Sequence, residues 1–398
     1  MTLLNDVKVL DLSRVLAGPY CTAMLADLGA DVVKVESRHG DDARHLGPFQ
    51  DGESVYFAQL NRGKRSIVLD LKDPADHATL LDLARAADVV VENFRPGVAA
   101  RLGVDHAALS AVNPRLVYAS ISGFGQSGPL AHAPAYDLVV QAMSGLMEGT
   151  GTADGGPTRV GESVGDVIAG LYAAWGITAA LFERERTDVG RHVDVAMFDS
   201  LVSLQVTAMS ILTASGALPG RVGNRHPVSA PFDTYPTRDG LVAIAVANGS
   251  VFARFCALVG HPQAADDPRF ADDSARAAHR HDIEALATAW STGLTTEQAV
   301  AQAEEAGVPA APIWDLAQAL ASEQAAHRGL VGTFEHPVLG RTPYLTQPVR
   351  FPGTAEGELV AASSPTLGAD RDEVVAGWLG DERLSPAETP PAEPASRH

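Results

Sequence analysis

Short apolar runs rich in Val, Ile and Leu recur through the first third of the chain. Between them lie helix-length stretches with apolar positions three and four apart. Residues 7–12, 31–36, 66–71, 88–93 and 116–121 each read as a strand. Pro19 suits the first turn of a helix that runs to Leu28 and is closed by Gly29, and residues 73–87 carry an amphipathic helical pattern. Strands alternating with helices predict an α/β fold with a mostly parallel sheet covered on both faces.

The pattern then changes. Residues 136–186, rich in Ala, Gly and Leu, predict packed helices around a turn at Asp166, and residues 193–212 continue apolar and helical. The run Gly220-Arg221-Val222-Gly223-Asn224-Arg225-His226-Pro227 breaks this pattern and sets a boundary near 220. Residues 225–325 read as a smaller α+β unit, with a strand at 241–247 and helices near 251–259, 281–291 and 296–306. Short strands are expected near Tyr344 and Val349, and the Pro/Ala/Glu-rich residues 384–398 predict a disordered tail.

Composition narrows the class. The 398 residues suffice for two domains, and 46% hydrophobic with 20% charged residues is ordinary for a soluble globular enzyme. A formal charge of −19 argues against a nucleic-acid partner. No signal-like start is read, and apolar stretches such as residues 171–181 are too short to span a bilayer, so no membrane association and a cytoplasmic location are expected. Cys21 and Cys256 read as buried thiols.

The candidate chemistry centres on Asp166, in Gly161-Glu162-Ser163-Val164-Gly165-Asp166-Val167-Ile168-Ala169-Gly170. Small neighbours let a large substrate approach, and no His, Cys or Lys lies within ten residues. That setting suits a carboxylate nucleophile better than a metal cage or a Ser/His/Asp triad; the competing reading is an ordinary turn or helix-cap Asp. Arg38, Lys72, Arg95 and Arg101 each follow a predicted strand by a few residues, where open α/β sheets bind ligands, and their charges suit phosphates. The plainer reading is that they solvate loops. No Gly-x-Gly-x-x-Gly follows the first strand, which argues against a dinucleotide cofactor.

Several segments carry a family likeness. They are Val9-Leu10-Asp11-Leu12-Ser13-Arg14-Val15-Leu16-Ala17-Gly18-Pro19, Leu60-Asn61-Arg62-Gly63-Lys64-Arg65-Ser66, Glu92-Asn93-Phe94-Arg95-Pro96-Gly97, Gly223-Asn224-Arg225-His226-Pro227 and Ala306-Gly307-Val308-Pro309-Ala310-Ala311-Pro312. With them the chain resembles the class III CoA-transferases over roughly residues 1–375. The resemblance implies a Rossmann-like large domain from 1–220 and 326–383, a small domain at 221–325, and an interlocked homodimer. It implies that Asp166 attacks an acyl-CoA thioester, passing through a mixed anhydride and an aspartyl-CoA thioester, with a free carboxylic acid as the second substrate and neither metal nor separate cofactor. At a reference pKa of ~3.9 the Asp would be ionised at neutral pH without a base.

The same resemblance implies that CoA meets Leu16, Ala17, Arg38, Leu69, Lys72, Asn93, Phe94, Arg95 and Arg101, with Met197 near its tail and Tyr136 and Asp137 beside the reacting end. The family's mobile glycine loop would correspond to Asn248, Gly249 and Ser250, although only one Gly stands in Val246-Ala247-Asn248-Gly249-Ser250. Related 2-methylacyl-CoA racemases carry a His where Tyr136 stands, and a phenol of pKa ~10 is a poor proton shuttle. Transfer is therefore expected ahead of racemisation or of plain acyl-CoA binding, and His132 reads as a loop residue. Oxalate-using members carry Gln at the position of Leu16, so oxalate is expected to be a poor acceptor here and a longer acid or C4–C5 dicarboxylate a better one.

Overall fold

A computed structural model of the protein describes residues 3–352 and 362–380; the tail expected at 384–398 lies outside them. Six strands form one sheet: β1 (Lys8–Asp11), β2 (Asp31–Glu36), β3 (Lys64–Val68), β4 (Val89–Glu92), β5 (Val117–Ser122) and β6 (His192–Ala196). Every neighbouring pair is parallel, in the order β3-β2-β1-β4-β5-β6. This is the doubly wound order whose direction of growth reverses between β1 and β4, leaving a crevice beyond their carboxyl ends. Val9, Leu10, Val33 and Val89 to Val91 are fully buried because helices cover both faces. On one face the core gathers Leu80 and Leu83 of the Pro74–Ala86 helix and Val374 and Trp378 of the Arg371–Leu379 helix. Asp73 caps the first of these, accepting from the Ala75 and Asp76 amides at 2.9 and 3.1 Å. The second is tied on by Asp370, which accepts from the Ser66 amide at 2.7 Å, and by Arg371 pairing with Asp76 at 2.9 Å.

The chain groups into two compact units. One takes the described residues of Met1–Ser144, Gly161–Leu204 and His327–His398; the other takes Gly145–Val160 and Gln205–Ala326. Segments 145–160 and 205–220 thus group with the second unit. That unit has an antiparallel sheet ordered Ala310–Pro312, Leu241–Ala245, Phe232–Pro236. Helices Gly249–Leu258, Arg280–Ser291 and Thr296–Glu305 close over it around Phe252, Phe255, Ile283 and Ala287.

Four expectations need correction. Residues 193–196, expected to be helical, belong to the edge strand β6: Val193 and Val195 alternate with His192 and Asp194, and Val193 packs where a side chain on Gly176 would meet it at 2.7 Å. Val349 lies in no strand; the hairpin is Val331–His336 with Gly340–Leu345. Asp166 sits in the first turn of the Val164–Thr187 helix instead of in a turn between helices. At 24 residues that helix is long and apolar enough to cross a bilayer by length and composition, so the shorter stretch read from sequence understated it. Here Ala169, Gly170, Ala173, Ile177 and Ala180 are buried along one face, and buried Arg184 pairs with Asp88 at 2.9 Å.

A charge network runs across β1 to β3, from Asp11 and Glu36 at the carboxyl ends of β1 and β2 to Lys64 at the amino end of β3. Lys64 Nζ donates to Asp11 at 2.9 Å, and Lys34 Nζ meets Asp41 at 2.7 Å. Arg44 forms a fork with Glu36 at 2.7 and 2.8 Å. Burial pushes the Asp11 carboxyl up, but Lys64, Lys34 and hydrogen bonds from Ser13 and Thr22 outweigh it and hold Asp11 well below the usual range. Burial brings the Lys64 amine down to about 8 against the pull of Asp11. Removing one partner of a buried pair strands the other, at a typical cost of about 3–5 kcal/mol. Lys64→Met is therefore expected to lower unfolding free energy by an amount of that order in urea titration, whereas exposed Lys72→Met should change it by less than about 0.5 kcal/mol.

Candidate active site

The loop leaving β1 is fixed residue by residue. The Ser13 amide donates to Asp11 at 3.0 Å, and Lys34 Nζ donates to the Ser13 carbonyl at 2.8 Å. The Arg14 amide donates to Asn93 Oδ1 at 2.9 Å while Asn93 Nδ2 donates to the Arg14 carbonyl at 2.7 Å, which ties the ends of β1 and β4 across the crevice. The Val15 amide donates to Asp41 Oδ1 at 3.0 Å. Val15 has φ +66°, a left-handed conformation in which a β-branched side chain is strained by about 1–3 kcal/mol. Leu16 follows as the cap of the Ala17–Asp27 helix.

This helix start meets the start of the Val164–Thr187 helix. Gly170 permits the approach, since a side chain there would come within 2.6 Å of the Ala17 carbonyl oxygen. Ala17 and Asp166 consequently line the same cavity. Behind Asp166, buried Asp137 accepts from the Gly165 amide at 2.8 Å and from Gln141 at 2.7 Å. Burial first, and the Asp137 charge second, push Asp166 up to about 7 against the lowering pull of the Ala17 amide. The expectation of a fully ionised Asp166 at neutral pH is therefore corrected: near pH 7 protonated and ionised forms coexist. Tyr56, on the Val55–Leu60 helix, faces the same charge: burial and then Asp166 push its phenol up to about 12, so it stands as a neutral hydroxyl. No sequence pattern singled Tyr56 out.

Asp166 opens into a cavity of about 180 Å³ lined by Leu16, Ala17, Asn93, Phe94, Arg95, Tyr136 and Met197, among others. A larger cavity of about 540 Å³ over the ends of β1 to β3 is lined by Arg38, Leu69, Lys72 and Phe94. Arg14, Asp42 and Phe94 line both, so the two adjoin. Arg38 is 72% exposed on its side chain, 4.0 Å from Asp70. Arg101, exposed at the end of the Val98–Arg101 helix, lines neither cavity, and Asp137 buttresses Asp166 from behind. His132 is exposed and does not line the Asp166 cavity; Tyr136, 75% exposed, does. Asn248, Gly249 and Ser250 begin a capped helix in the second unit, with Asn248 Oδ1 accepting from the Val251 amide at 3.0 Å; they do not form a glycine-rich loop. Cys21 and Cys256 are free and buried.

The family CoA-transferase family III matches residues 4–371. The chain belongs to CoA-transferase family III. The family member from Acetobacter aceti described as acetyl-CoA:oxalate CoA-transferase is 47% identical over 82% of this chain and 85% of its own length. Succinate–glutarate CoA-transferase of Agrobacterium fabrum is 41% identical over 82% of this chain and 84% of its own. Among solved structures, a CAIB/BAIF family protein from Brucella suis superposes with a TM-score of 0.81 at 38% identity, covering 95% of this chain and 99% of that one. The named activities of these CoA-transferase relatives are transfers of CoA between acyl-CoA and carboxylic acids.

Two outcomes follow for this family III CoA-transferase. Activity that requires ionised Asp166 should fall as pH drops through about 7 in kcat/KM profiles, and Asp137→Asn, by removing a raising charge, should move that limb to lower pH. Gly170→Ala should force the two helix starts apart and cost about tenfold or more in kcat while the circular dichroism of the fold is kept.

Proposed function

We propose that the protein exchanges CoA between an acyl-CoA and a dicarboxylic acid, with Asp166 as the covalent nucleophile. The observation that carries this is Asp166 at the base of a small cavity that adjoins a larger, cation-bearing one, room for a thioester and for the nucleotide end of CoA respectively. The Asp166 carboxylate attacks the thioester carbonyl; the C–S bond breaks and CoA leaves as a thiolate, giving a mixed anhydride. The thiolate attacks the aspartyl carbonyl, releasing the donor acid and leaving an aspartyl-CoA thioester. The acceptor carboxylate displaces the thiolate to form a second anhydride, and attack of the thiolate on the acceptor carbonyl gives the new acyl-CoA and frees Asp166. Each step conserves an activated acyl group, so the scheme calls for no ATP, metal or cofactor besides the CoA substrate. Backbone amides at the two helix starts suit the oxyanions. Leu16, Ala17, Asn93, Phe94, Arg95 and Met197 would line the path of CoA, with Arg38 and Lys72 toward its phosphates. The working form would be a cytoplasmic, interlocked homodimer.

The acid class rests on the relatives, whose names specify oxalate, succinate and glutarate, all dicarboxylic. Buried Leu16 offers no hydrogen bond to a small diacid and favours C4–C5 acids; the Acetobacter relative's name sets oxalate against that preference. A mass-spectrometric exchange screen decides it, with succinyl-CoA, acetyl-CoA and formyl-CoA against oxalate, succinate, glutarate and monocarboxylic acids. New acyl-CoA species are expected with a dicarboxylate, falling about 10³-fold or more in Asp166→Ala. Exchange that persists in Asp166→Ala would remove the nucleophile assignment. Absence of exchange, with α-deuterium uptake by 2-methylacyl-CoA, would replace transfer by racemisation. A fast rate with oxalate would overturn the Leu16 argument alone.

A further inference from the structure

We propose that Asp41, clamped by Lys34, is a positioning residue for Asp166: it holds Val15 in the left-handed conformation that sets the start of the Ala17–Asp27 helix beside the carboxylate. The inference rests on the assignment of Asp166 as the reacting group.

Val15 has no local reason to sit at φ +66°. It is not Gly, Asn or Asp, and its branched side chain disfavours that region. The conformation is imposed from outside the loop. One Asp41 oxygen accepts from the Val15 and Ala43 amides at 3.0 and 2.9 Å. The other meets Lys34 Nζ at 2.7 Å, and the side chains of this pair are 0% and 1% exposed. Lys34 also donates to the Ser13 carbonyl at 2.8 Å. One buried pair therefore grips the loop at two points, Ser13 and Val15, on either side of Arg14. The Asp41 amide is itself held by Glu36 at 2.8 Å, so the acceptor is fixed to the end of β2. Two residues beyond Val15, Ala17 lines the same cavity as Asp166, and its amide pulls the Asp166 carboxyl down.

Asp41 lines the larger cavity and not the one around Asp166. A role only in holding CoA would thus show in KM, and a positioning role in kcat. The charged or titratable groups around Asp166 are Asp137 and Tyr56, with Arg14, Asp42, Arg95 and Tyr136 lining its cavity. Loss of the Asp41 negative charge by itself would lower the Asp166 titration, whereas loss of the Ala17 amide's pull would raise it, so the direction of the shift separates the two. Lys34 keeps Asp11 and Glu36 as nearby counter-charges when Asp41 is lost.

The test is a cycle of Asp41→Ala, Val15→Gly and their combination in the full-length protein. Glycine adopts positive φ without a tether. Asp41→Ala is expected to lower kcat about tenfold or more with less than about twofold change in KM, and adding Val15→Gly should recover at least about threefold of the loss. Asp41→Asn, which keeps an oxygen for the Val15 amide, should retain more activity than Asp41→Ala; Asp41→Ser serves in the cycle if Asp41→Ala does not fold. A readout independent of turnover is the Asp166 titration by carbon-13 NMR of labelled aspartate, assigned with Asp166→Asn. It should move upward in Asp41→Ala and return in the double variant. Losses that add in the double variant, a change confined to KM, or an unmoved Asp166 titration would overturn the proposal. Wild-type protein without exchange activity would sink the transfer reading instead, and the NMR arm would still decide the positioning role.

Discussion

Charge buried in a low-dielectric interior has to be matched, and in this protein one matched set sits under the point where the sheet changes direction. Asp11 on β1, Lys34 and Glu36 on β2, Lys64 on β3 and Asp41 in the loop after β2 are all buried. Lys64 meets Asp11 53 residues away and Lys34 reaches Ser13 21 residues away, while Asp41 is held from the neighbouring end of β2. Left single, any member would carry a desolvation penalty of several kcal/mol. Together they tie β1, β2 and β3 to one another and hold the loop after β1 at Ser13 and Val15.

Everything at the candidate site is downstream of that loop. The Ser13 carbonyl, the Arg14 backbone and the Val15 amide are each committed to a partner outside the loop, and the helix from Ala17 starts where they leave it. Gly170 then lets a second helix start arrive close enough for Ala17 and Asp166 to line one cavity. A strained Val15 and a partly protonated Asp166 are both unfavourable in isolation, and the surrounding network over-determines them.

Asp11 and Asp166 respond to pH in opposite senses. Asp11 is held below its unfolded value, so its contribution to stability is present above pH about 3.8 and is lost as pH falls through its lower folded value. Asp166 is raised from 3.8 to about 7, so the native state binds more protons than the unfolded chain across that window, and its contribution declines as pH rises through about 7. The first carboxylate serves the frame. The second is kept in an environment that costs stability at neutral pH, which is common for groups placed for chemistry.

The first five strands and the Pro74–Ala86 helix are legible in the sequence because buried parallel strands are apolar throughout and Asp73 with Pro74 marks a helix start. The family motifs pointed to Asp166, Leu16, Asn93, Phe94, Arg95, Tyr136 and Met197, and the fold brings all seven to one cavity. The edge strand β6 escaped notice because it is short, half exposed and followed at once by a helix. Tyr56, Asp41 and Gly170 left no local signal: each matters through a partner brought near by the fold, 26 residues away in sequence for the bond between Asp41 and Val15. Periodicity and capping are properties of adjacent residues, so the sequence by itself determined the elements and named the carboxylate. The strand order, the strain at Val15 and the raised Asp166 arise from burial and from charges meeting across the fold, and only the tertiary structure decided those.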